Sequence, residues 1–249
     1  MCVVLFFIMQ HLVGKLKDNA VDEVKEDVGS NVKMVIVLSV NGLLCYEEYD
    51  KFTPPPFNPN NIKVRPGLIQ FFRLLFQYFH VGIWSCMLPI RLRKVMQYIL
   101  PEDMRRQLLF VNGRNKCGQP GSYPYCFKKL NDLLRQRNAK EYCLPDKVLM
   151  VDDCRHRNVY NGDFACYFPI SWMGERSLPN PRNVIPNICT ALLPFIFDLR
   201  RYSSVRRFLE ENEFDGKFKR KFLKPWHIKR VCIRSDHLVG LPVHDVKNG

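Results

Sequence analysis

The sequence has ten cysteines but no C-x-x-C pair, and no two of its six histidines stand at zinc-ligand spacing. These absences remove the usual sequence signatures of a structural zinc module or a dithiol redox enzyme. Several cysteines sit inside apolar runs, where a thiol packs as a small hydrophobe. Reduced thiols, and a nuclear or cytoplasmic setting, are therefore expected. No apolar run is long enough to cross a bilayer, since Gln10 and His11 interrupt residues 1–13. Residues 1–31 contain no Arg and carry Asp18, Asp22, Glu23, Glu26 and Asp27. Neither a secretory signal nor an Arg-rich presequence is expected there. Acidic residues are also in deficit, with 24 Asp and Glu against 38 Lys and Arg, a formal net charge of +14. The imbalance is concentrated: residues 200–234 hold twelve Lys or Arg against four Asp or Glu. Internal repeats and low-complexity tracts are absent.

What is present can fill a sizeable core. The chain has 249 residues, 47% of them apolar, including 18 Phe. That fits one large domain with extensions. The expected division is an N-terminal extension over 1–31, a domain over 32–215 and a basic tail over 216–249.

Within the domain, apolar strands alternate with helical segments. Residues 34–38 read as a buried strand. Four prolines and three asparagines make 50–62 a loop. A helix is expected from about 66 to 79, with Pro66 near its first turn, and a strand over 81–84. A helix over 89–100, a strand over 108–111, a Gly- and Pro-rich loop over 112–125 and a helix over 127–137 follow. Strands over 147–151 and 164–168 and helices over 188–199 and 203–212 complete the pattern. Such alternation predicts an α/β fold, a mainly parallel sheet with helices on both faces. Ligands of these folds bind beyond the carboxyl ends of the strands. That rule brings residues 39–42, Ser85 and the pair Asp152 and Asp153 to one rim.

The motifs at those positions carry a resemblance. The first strand runs into Ser39-Val40-Asn41-Gly42-Leu43-Leu44. Arg65-Pro66-Gly67 comes next, then Val81-Gly82-Ile83-Trp84-Ser85, Phe127-Lys128-Lys129-Leu130 and Val151-Asp152-Asp153-Cys154, with a closing helix at 208–212. In order and spacing this resembles the FCP-like, or NLI-interacting-factor-like, branch of the haloacid-dehalogenase (HAD) phosphatases, over roughly residues 32–215. The plant-type members have D-x-N-G-L-L as first motif. The resemblance implies a HAD-like three-layer Rossmannoid fold with a small irregular cap insertion. It implies phosphate-binding roles for Ser85 and Lys128, and a metal-side role for Asp153 with Asp152 in support.

The first motif departs from the pattern. The family nucleophile is the Asp whose position is held here by Ser39, and the general acid's position is held by Asn41. A hydroxyl nucleophile needs an activating base, and general acid–base catalysis typically contributes about 10²–10⁴-fold. The residues after the third strand, Asn112-Gly113-Arg114-Asn115-Lys116, also form a shorter, more basic insertion than family substrate recognition uses. A pseudophosphatase that binds a phosphorylated or acidic protein is therefore expected. The cofactor, if any, would be Mg²⁺, held weakly or lost. Two alternatives differ in class. One is an active Mg²⁺-dependent protein serine/threonine phosphatase. The other is a nucleic-acid-binding protein acting through 217–234, where Lys217, Lys219, Arg220, Lys221, Lys224, Lys229 and Arg230 surround Phe218, Phe222 and Trp226.

Overall fold

The computed structural model describes residues 33–47, 56–118, 126–137, 139–158, 160–161, 166–174 and 187–212. The N-terminal extension and the basic tail, with the nucleic-acid reading attached to that tail, lie outside the described residues.

The centre is a parallel five-stranded sheet. In chain order its strands are β1 (Val35–Leu38), β4 (His80–Trp84), β5 (Val111–Asn112), β6 (Val148–Val151) and β7 (Cys166–Tyr167). The spatial order is β5-β4-β1-β6-β7. β1 lies in the middle, with Val35 beside His80 on one side and Val148 on the other. The chain leaves β1 to one flank and later returns to the other, so a crevice opens at the carboxyl end of β1.

The residues explain the sheet's position. All four side chains of β1 are fully buried. Ile36 and Leu38 face a core built with Val81, Ile83, Leu149 and Val151. The helices on that face are α1 (Leu68–Tyr78), α2 (Pro89–Ile99), α5 (Ile188–Asp198) and α6 (Val205–Glu211). Val35 and Val37 point the other way, to Trp84, Phe110, Met150 and Leu133 of the short helix α4 (Leu130–Leu134). A strand with continuous apolar sequence is what a parallel sheet covered on both faces requires. The fold class is the α/β arrangement expected, a parallel sheet with helices on both faces.

Several elements differ from the sequence pattern. The helix expected over 127–137 is confined to α4, and Lys129 before it is extended, with φ −107° and ψ 110°. Phe127 pairs instead with Gly118 in a short antiparallel bridge. Lys128 thus projects from extended backbone. A hairpin of β2 (Cys45–Glu47) and β3 (Ile62–Val64) rises beyond β1, with β3 starting where the loop was expected to end. A four-residue helix, α3 (Glu102–Arg105), follows α2. The third sheet strand is shorter and shifted, and among the described residues of 164–168 β7 is Cys166–Tyr167.

Two glycines are demanded by the backbone. Gly67, with φ 83°, caps α1, and a Cβ there would press on Asn187, the residue that caps α5. Gly42, with φ 84°, turns the chain into the β2–β3 hairpin directly against Asp153.

Candidate functional site

The carboxyl ends of β1, β4 and β6 meet, as the switch-point rule predicts. Ser39 follows β1 and its backbone N–H donates to Val151 O at 2.9 Å, which continues the pairing with β6 by one step. Ser85 follows β4, and Asp152 and Asp153 follow β6.

Lys128 is the centre of this group. Its side chain is fully buried, and its Nζ donates to Ser39 Oγ at 3.1 Å and to Asp152 Oδ2 at 2.6 Å. Asp152 Oδ2 also accepts from Asn158 Nδ2 at 2.8 Å, and Oδ1 accepts from the Cys154 backbone N–H at 3.0 Å. Both carboxylate oxygens are therefore committed. Burial alone would push the Lys128 ammonium down and the Asp152 carboxyl up. Their mutual charge and hydrogen bond outweigh it, so Lys128 is raised and Asp152 lowered. The pair is ionised and internally neutral. Asn161 fixes the segment: its Oδ1 accepts from Leu130 N at 2.8 Å and its Nδ2 donates to Lys128 O at 2.8 Å.

The other expected residues have more local partners. Ser85 is buried, and its Oγ accepts from the Met87 backbone N–H at 3.2 Å. Asn41 uses both ends of its amide on Glu47: Oδ1 accepts from the Glu47 N–H at 2.8 Å and Nδ2 donates to Glu47 O at 3.2 Å. The residue at the general-acid position thus pins the hairpin. Arg65 of the R-P-G motif is also buried, and it holds the same turn by donating from its guanidinium to Leu43 O at 3.1 Å.

Asp153 is different. Burial first, and then the charge of Asp152, push its carboxyl up to about 6, against a hydrogen bond with Ser171. Its Oδ1 is buried and has no hydrogen-bond partner. Such an oxygen is what a cation would satisfy. The remaining donors do not fit Mg²⁺, which takes near-octahedral oxygen ligands at about 2.0–2.1 Å and is usually held through one or two carboxylates plus phosphate. Asp152 has no free oxygen, and the Ser39 hydroxyl is neutral and already accepts from an ammonium. One free carboxylate oxygen does not make a resident Mg²⁺ site.

Charge at the rim comes from the basic insertion, from Lys129 of the third motif and from two arginines that the sequence reading did not single out. A single turn after β5 carries Arg114 and exposed Lys116; Lys129 precedes α4; Arg155 and Arg157 lie in the turn after β6. Arg157 is close enough to raise the charged form of both aspartates. Its signal in the sequence was its place in the Arg-His-Arg run just beyond the Asp pair.

The residues that carry these motifs are covered in part by a family model. A model described as NLI interacting factor-like phosphatase matches residues 34–183. The chain belongs to that family. Among curated proteins none matches the chain significantly. Two solved structures of RNA polymerase II CTD phosphatase Fcp1 are similar to this NLI interacting factor-like domain. One, an essential Fcp1, is 16% identical with a TM-score of 0.42, covering 75% of this chain and 55% of that one. The other, a fission yeast Fcp1 variant bound to beryllium fluoride, is 14% identical with a TM-score of 0.41, covering 56% and 42%. The chain spans about half the length of these solved relatives. Likeness at that level carries no argument about activity.

Proposed function

We propose that this chain is a non-catalytic member of the NLI interacting factor-like phosphatase family that binds a phosphorylated or acidic protein at its basic rim. The observation that carries the reading is the Lys128 Nζ hydrogen bond to Ser39 Oγ at 3.1 Å, at the position where the family carries its nucleophilic Asp. A serine hydroxyl attacks phosphorus only if a base removes its proton. The carboxylate held by the same ammonium, Asp152, has its two oxygens engaged by Lys128, Asn158 and Cys154, and its lowered pKa makes it a weak base. Asn41 neither donates nor accepts a proton usefully, and its amide is spent on Glu47. These commitments weigh against the active-phosphatase alternative.

Loss of the nucleophilic carboxylate also changes the charge balance. Lys128 and Arg157 face two aspartates, one of which, Asp153, has its carboxyl pushed up to about 6 by burial and by the charge of Asp152. An incoming phosphate meets less repulsion than it would beside a third carboxylate. Arg114, Lys116, Lys129 and Arg155 extend the positive field around the rim, which favours anionic partners.

The test compares a phosphoserine peptide with its unphosphorylated form by fluorescence anisotropy. Tighter binding of the phosphopeptide is expected, weakened by added salt and by the double variant Lys116→Glu/Lys129→Glu. Equal affinity for the two forms would contradict phosphate recognition, while preference for poly-acidic peptides over both would narrow the reading to an acidic partner.

A further inference from the structure

Cys86, Cys117 and Cys126 come from three separate parts of the chain, yet their sulfur atoms all lie within 4.8 Å of one another. Cys86 follows Ser85 at the end of β4. Cys117 ends the turn after β5, and Cys126 lies two residues before Lys128. The convergence has a backbone cause. Gly118 and Phe127 exchange both hydrogen bonds, at 2.9 and 3.1 Å, which brings the residues flanking them together. Arg114 then ties this turn to β4 by donating from Nε to Cys86 O at 2.9 Å.

We propose that these three thiols form a binding site for a thiophilic cation, with Zn²⁺ as the reference ion. Zn–S bonds of about 2.3 Å at tetrahedral angles place sulfurs about 3.8 Å apart. The Cys86–Cys117 sulfur separation is 4.0 Å, so closure around an ion needs only small side-chain adjustments. Three thiolates around a divalent ion carry one net negative charge, and Lys128 and Arg157 are near enough to act on the charge of Cys86. Three protein ligands leave the fourth position to solvent or an added thiol. The bound ion would tie the end of β4 to the segment that presents Lys128. The site stands independently of whether Ser39 has ended catalysis.

The full chain, purified under reducing conditions and stripped with chelator, is titrated with Zn²⁺ against a chromophoric competitor and with Co²⁺ for thiolate-to-metal charge transfer. One equivalent bound per chain is expected, with a thiolate band and a raised melting temperature. Cys117→Ser and Cys126→Ser should lose that equivalent, while Cys189→Ser, on the other side of the fold, keeps it. Alkylation mapped by mass spectrometry tests wild type directly, so the result holds even if a variant unfolds: Zn²⁺ should protect Cys86, Cys117 and Cys126 together. No equivalent bound by the reduced wild type overturns the proposal. So does binding that survives both substitutions, or Zn²⁺ that leaves the alkylation of Cys86, Cys117 and Cys126 unchanged.

Discussion

At the scale of single residues, the buried charges of the site are matched in pairs or left unmatched. Lys128 and Asp152 are both fully buried, so each makes the other tolerable. Removing one partner of such a pair typically costs about 3–5 kcal/mol, because the other charge is stranded. Lys128→Met should therefore destabilise the fold by that order in urea denaturation. Adding Asp152→Asn should recover a large part of the loss, and simple additivity would argue against the pairing. Asp153 behaves oppositely. Its folded-state value of about 6 lies above the unfolded value near 3.8, so the folded chain binds this proton more tightly. Its contribution to stability falls as pH rises from about 4 to about 6 and is constant above that, with a ceiling of about 3 kcal/mol. Asp153→Asn should stabilise the protein at pH 8 and lose that advantage at pH 4. Denaturation curves at the two pH values check the sign. Destabilisation at pH 8 would show that the Asp153 charge is compensated.

At the scale of elements, β4 shows how closely the sheet is packed. Gly82 has no side chain because the Phe110 ring lies over it, and a Cβ would overlap that ring. Gly82→Ala should cost about 1–3 kcal/mol as an overpacked core, partly relieved by Phe110→Leu. A neutral result in thermal unfolding would mean that Phe110 can move aside. Elements of this sheet were legible where the sequence was regular. The continuous apolar runs of β1 and β6 and the amphipathic faces of α1 and α2 follow from periodicity, and their strand ends locate the crevice. Less regular pieces were not. The pattern placed Lys128 on a helix because 127–137 is rich in helix formers. The bridge from Phe127 to Gly118 joins residues nine apart in the sequence, a pairing that local sequence does not encode. The β2–β3 hairpin was hidden for a similar reason: its strands have three residues each, and an Asn41 side chain locks its entry.

At the scale of the whole molecule, the family's order of motifs is present, with Ser39 at the position where the resemblance places a nucleophilic Asp. Ser39, Ser85, Lys128, Asp152 and Asp153 were all marked by their motifs; β1, β4 and β6 bring the strand ends carrying Ser39, Ser85, Asp152 and Asp153 to one rim, and Lys128 reaches Ser39 and Asp152 from outside the sheet. Their partners could not be read in advance. Ser85 stabilises its own turn, Asn41 pins the hairpin, and Asp152 is saturated by Lys128, Asn158 and Cys154. The three thiols at 86, 117 and 126 escaped because their spacings match no local motif and only the fold assembles them. Among the described residues no helix is long and apolar enough to cross a membrane.

The central claim is that phosphate can meet this site without being hydrolysed. The most direct test is turnover of p-nitrophenyl phosphate by the purified wild-type chain with saturating Mg²⁺, run beside Ser39→Asp and Ser39→Ala. The account predicts that wild type and Ser39→Ala are equal and at background, with any gain confined to Ser39→Asp. Robust Mg²⁺-dependent turnover by wild type that disappears in Ser39→Ala would contradict it.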